Sequence, residues 1–159
     1  MIKRIFVSAL AAGTVLLGCA DAFADSGTFY VCTSEEQFAE MEPNLADLEF
    51  NSITVQYVDP KDVATIKDES YAAISLTPGS PAAEFLKGKI SEDALAEIGK
   101  EKGKKMLVLT SPFAEEQEWI VWAGNTEEDT AEIRRSKRSS WWNLVTNWFG
   151  LPVNAMKQY

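Results

Sequence analysis

The residues that could do chemistry sit in a few short stretches of this chain. Gly124-Asn125-Thr126 follows an apolar run and opens a helical one. That is the strand-to-helix position where free backbone amides can hold a phosphate. Its first helical turn reads Glu127-Glu128-Asp129, and three carboxylates there satisfy the helix dipole themselves and repel an anion. A capped structural turn is therefore the expectation. Thr77-Pro78-Gly79-Ser80-Pro81 has the same position and no acid before Glu84, so Thr77, Gly79 and Ser80 could border a small-ligand crevice at the carboxyl ends of the strands. Its two prolines remove amide donors, which favours a rigid connector. Glu115-Glu116-Gln117-Glu118 gathers carboxylates suited to acid–base work or calcium, without the Asp/Asn/Gly spacing of a calcium loop. Cys32 would need a base to act as a nucleophile, and the chain has no histidine. No catalytic residue, metal site or cofactor is expected.

The C-terminal segment carries a different signal. Arg134, Arg135, Lys137 and Arg138 precede Trp141, Trp142, Leu144, Val145, Trp148 and Phe149. Trp141, Leu144, Val145, Trp148 and Phe149 recur at helical spacing, with Asn143, Thr146 and Asn147 opposite. A basic cluster beside a tryptophan-rich amphipathic helix is suited to docking on an anionic membrane surface or an envelope partner. The same pattern also fits a terminal helix that packs on a sheet and completes the core. Both readings are open.

Positioning these stretches falls to alternating strand and helix patterns, which predict an α/β domain with a mixed sheet of about five strands and flanking helices in three layers. Strands are expected at Thr28–Cys32, Ile53–Val58, Tyr71–Leu76, Met106–Leu109 and Trp119–Trp122. The last two are joined too closely for a parallel crossover and should form a hairpin. Ser34 and Gln37 have the spacing of a capping box for a helix carrying Phe38, Met41, Leu45 and Leu48. Pro43 is expected to break it into two short pieces. Further helices are expected from Ser80-Pro81, from Ser91 and from Glu127.

The first 24 residues have the three parts of a secretory signal peptide: Lys3 and Arg4, an apolar run from Ile5 to Gly18, and Ala22-Phe23-Ala24 before Asp25. Leu16-Leu17-Gly18-Cys19 offers a competing lipidation site at Cys19, which would tether the protein to a membrane. The organisation expected is a leader over 1–24, an acidic α/β domain over 25–138 and a basic, aromatic tail over 139–159. Of 15 basic and 24 acidic residues, Lys3, Arg4 and Asp21 fall in the leader, leaving a net charge of −10. That balance argues against a nucleic-acid partner, which needs a positive field to collect phosphates. From Arg134 onward there are five basic residues and no acidic one, so Asp25 to Ile133 carries −15. Such asymmetry points to a tail with its own partner.

Lys105-Met106-Leu107-Val108-Leu109-Thr110-Ser111-Pro112-Phe113, then Trp119-Ile120-Val121-Trp122-Ala123-Gly124-Asn125-Thr126 with Thr130 beyond, resembles the closing segment of archaeal S-layer-type α/β domains. Tyr71–Leu86 resembles their preceding strand and Gly-Pro turn. Ser111 stands where that pattern has Asn, and Asp129 where it has Gly. The resemblance covers about half of the part after the leader. It implies a surface-exposed, non-enzymatic structural module of the cell envelope. Self-association is a further contact expected of the chain. The other function in view is an exported small-ligand-binding protein or enzyme using the strand-to-helix crevice.

Overall fold

The computed structural model describes residues 27–66 and 70–152. The leader, Cys19 and Lys157 lie outside the described residues. Five strands form one sheet in the order β2-β1-β3-β5-β4: β1 (Thr28–Cys32), β2 (Thr54–Val58), β3 (Tyr71–Leu76), β4 (Lys104–Thr110) and β5 (Glu118–Gly124). β2, β1, β3 and β5 run parallel, and β4 closes the edge antiparallel to β5 as the expected hairpin. The fold is thus the α/β class with a mixed sheet that the sequence pattern implies.

The central strands are apolar on both faces because both faces are covered. On one side, Phe29, Val31, Ala73, Ile120 and Trp122 pack with α1 (Glu35–Phe50), α4 (Glu127–Ser136) and α5 (Arg138–Trp148). On the other, Cys32, Ala72, Ile74, Leu76, Trp119, Val121 and Ala123 pack with a 3-10 helix (Pro60–Thr65), α2 (Pro81–Phe85) and α3 (Glu92–Ile98). Successive side chains point to opposite faces of a strand, so Trp119 and Trp122 serve opposite layers.

α1 differs from expectation in being one helix of 16 residues with Pro43 inside it. Pro43 is exposed, so the carbonyl it leaves without a helical donor lies on the solvent side, where water can satisfy it. Met41, Leu45 and Leu48 on the opposite side are buried and hold the helix to the sheet. Serine caps start three helices: Ser34 accepts from the Gln37 amide, Ser80 from Ala83 and Ser91 from Ala94.

Residues 139–151 are not a separate tail. α5 joins α4 at Lys137 and lies in the same core cluster as α1 and the sheet, so the acidic body and the aromatic segment share one hydrophobic core.

Candidate functional site

The aromatic stripe of α5 faces inward. Trp141, Trp142, Val145 and Phe149 are buried, and Leu144 and Trp148 are partly buried against the same core. Trp141 meets Trp122 edge-on at 5.4 Å between ring centres, and Phe149 meets Phe29 at 6.4 Å. Trp148 stacks on Tyr71 at 4.8 Å. Of the two readings open for this segment, the structure shows the helix packed into the core. One layer of the sheet needs cover beyond α1 and α4, and the only amphipathic helix left among the described residues supplies it.

The basic run has a mixed fate. Arg134 is 4% exposed and its guanidinium pairs with Glu40 of α1. Arg135 reaches Glu128 at 2.5 Å and Glu40 at 3.5 Å. Arg138 is half-buried at the start of α5, and Lys137 is exposed at the junction of the two helices. Arg134, Arg135, Arg138, Asn44, Glu40 and Trp141 line a cleft of about 330 Å³ between α1 and the α4–α5 junction. The hydrogen bond from Arg134, together with the nearby positive charge, holds the Glu40 carboxyl below its ordinary pKa of 4.5.

The two strand-to-helix turns come together only in part. Thr77 and Ser80 border a cavity of about 140 Å³ with Ser34, Gln37, Ser75, Glu127 and Thr130. It lies beside the carboxyl ends of β1 and β3, where the chain reverses direction across the sheet. Gln37 plugs it. Its amide donates to the Glu127 carbonyl at 3.2 Å and to Thr130 Oγ1 at 3.1 Å, and its oxygen accepts from Thr33 at 3.2 Å. Thr33 and Ser75 share a further bond at 2.8 Å. The polar groups that a ligand would use are spent on one another, and the space that remains is small.

Gly124, Asn125 and Thr126 do not line that cavity. The Asn125 amide donates to the Gly103 carbonyl at 2.8 Å, and the Thr126 amide to Asp129 at 3.1 Å. Thr126 and Asp129 form a complete capping box, so these donors are not available to a phosphate. Gly124 is required by packing: a Cβ there would come within 2.6 Å of the Thr130 nitrogen. Gly79 adopts φ +74 and, with Ser80, borders an apolar groove of about 370 Å³ between α2 and α3.

Cys32 is buried and free, and burial, with Asp59 and Asp62 nearby, pushes its thiol up to about 12. A thiol held protonated is a poor nucleophile. Among the described residues, no three His, Cys, Asp or Glu side chains gather to hold a metal, and no helix is long and apolar enough to cross a membrane.

Sequence reasoning missed Gln37 and the arginine cleft. The capping box expected of Ser34 and Gln37 forms by half, through Ser34. The Gln37 side chain instead turns inward, because it shares the buried stripe of α1 with Met41, Asn44, Leu45 and Leu48. That spacing was a usable signal. The cleft had no such signal, since it depends on α1 packing beside a junction about ninety residues further along the chain. Comparison of the chain with family models, with curated proteins and with solved structures finds no match.

Proposed function

We infer that this chain is an exported, non-enzymatic cell-envelope module, S-layer-like in kind, which docks on an anionic surface through the basic pole where α4 meets α5. The observation that carries this reading is the charge layout. The stretch from Asp25 to Ile133 holds −15, whereas Arg134 onward holds five basic residues and no acid. At the pole, Lys137 is exposed and Arg138 half-exposed, so positive charge is available at the surface even with the aromatic side chains buried. An acidic body with one basic pole is orientated by a negative surface, pole inward and body outward. The leader pattern of residues 1–24 supports export. The pattern shared with S-layer-type domains over Lys105–Thr130 supports an envelope role.

Docking of this kind is electrostatic and so depends on salt. Co-sedimentation of the full chain with anionic and neutral vesicles tests it, comparing wild type with Lys137→Glu. Binding to anionic vesicles that weakens with salt and with the substitution is expected. Equal sedimentation with neutral vesicles, or indifference to Lys137→Glu and to salt, would overturn the reading. Export itself is checked by the N-terminus of the secreted product, expected at Asp25, with a lipidated Cys19 as the competing outcome.

A further inference from the structure

The cleft between α1 and the α4–α5 junction has features that neither packing nor surface docking requires. Arg134, Arg135 and Arg138 line one space of about 330 Å³. Arg134 comes from the last turn of α4, and its side chain is 5% exposed. A cation that deeply buried normally has its donors filled. Glu40 takes one Arg134 terminal nitrogen, yet the buried Nε of Arg134 has no hydrogen-bond partner, and the buried Nε of Arg138 has none either. Buried charged donors without a partner are costly, and both of these belong to residues that line the cleft.

The charges define the acceptor that would serve them. Glu40 pairs with Arg134 and Glu128 with Arg135, which leaves the Arg138 guanidinium as the unmatched charge on the cleft. Asn44, 8% exposed, adds an amide to the same wall. Guanidinium forks present paired N–H donors that fit the oxygens of a phosphate or carboxylate, and an anion seated here would neutralise the Arg138 charge. The cleft is larger than a bare tetrahedral anion needs, which leaves room for the group the phosphate is attached to.

We propose that this cleft binds a phosphate group, of the phosphomonoester type, with Arg138 as its principal contact beside Arg134 and Arg135. The site stands whether or not the basic pole docks on a surface, because a soluble phosphate would fill it equally well. The same headgroup chemistry on a lipid would give the pole a specific grip rather than a diffuse attraction.

Calorimetric titration of the full chain with inorganic phosphate and with glycerol 3-phosphate, against chloride at matched ionic strength, tests the proposal in the absence of vesicles. Saturable one-site binding is expected. Arg138→Gln should weaken it about tenfold or more, the scale of one charge-assisted hydrogen bond, while leaving thermal stability intact because the Arg138 Nε has no partner to lose. Glu40→Gln should tighten binding by removing the competing carboxylate. No saturable heat with wild type, or affinity unchanged in Arg138→Gln, would overturn the proposal. A separate arm sediments the protein with phosphatidic acid vesicles in the presence of glycerol 3-phosphate. Competition identifies a lipid headgroup as the source, and phosphate binding without competition identifies a soluble one.

Discussion

The indole N–H of Trp141 donates to the backbone carbonyl of Arg134 at 3.0 Å, inside the core. The Arg134 carbonyl lies in the last turn of α4, where helical partners run out. α5 begins without a side-chain cap, so its first turn is held by other contacts. One buried bond therefore satisfies the end of α4 and ties α5 down, leaving the Arg134 guanidinium on the cleft and the Trp141 ring against Trp122.

Trp141→Phe should keep most of the ring packing and lose that bond, costing about 1–2 kcal/mol. Trp141→Ala should cost about 3–5 kcal/mol, the range for emptying a large aromatic site. Urea denaturation checks both. A Phe variant as stable as wild type would show that the bond does not hold the junction.

Gly124→Ala should destabilise by about 1–3 kcal/mol through overpacking. The added methyl would meet the Thr130 nitrogen at 2.6 Å and the Asp129 carbonyl carbon at 2.7 Å, both backbone atoms that cannot swing aside. A Gly79→Ala control probes a different cost. Space is open there, but φ is +74, so only conformational strain is added, about 1 kcal/mol. Melting temperatures should rank wild type, Gly79→Ala, Gly124→Ala in falling order.

Glu40 gives the fold an acid-sensitive contact. Its folded-state pKa lies below 4.5, so its stabilising effect is fully present above 4.5 and is lost as pH falls through the depressed folded value. Wild type should exceed Glu40→Gln in stability at neutral pH, with the gap closing on acidification. Because Glu40 is partly exposed, salt should narrow the gap as well. Urea midpoints followed from neutral to acid pH report it; a gap independent of pH would contradict the linkage.

Cys32 acts at the other end of the scale. Its thiol titrates near 12 in the folded protein against an ordinary 9.0, so the folded state retains the proton that the unfolded state gives up. Stability from this group is intact below 9.0 and drains away as pH rises from there toward 12. Cys32→Ala should flatten the alkaline fall in stability, and native Cys32 should resist maleimide until the protein unfolds. Rapid labelling of the folded protein would contradict the burial.

Strand positions, the β4–β5 hairpin and the serine caps were legible because each depends on a few neighbouring residues. Ser80-Pro81 and Thr126 through Asp129 carry their geometry locally. Pro43 misled because its cost depends on which side of α1 faces water, a tertiary matter. The α5 pattern was ambiguous for a deeper reason: Trp141, Val145 and Phe149 on one face suit a lipid boundary and a protein core equally well. Only the shortage of helical cover on one layer of the sheet decides between them. Gln37 has the spacing of the buried stripe of α1, but its place three residues after Ser34 fits a local capping bond as well. The arginine cleft needed Glu40 and Arg134 to meet, and no local pattern encodes that contact.

On the proposed function, a basic pole docks while the aromatic helix stays in the core. The most direct test is fluorescence quenching by brominated lipid chains in anionic vesicles that the protein has been shown to bind. All five tryptophans lie among the described residues, and a leader that inserted would contribute none. Vesicle binding with tryptophan emission unquenched is the predicted result. Quenching on binding would mean that α5 leaves the sheet to enter the lipid, and would contradict the account.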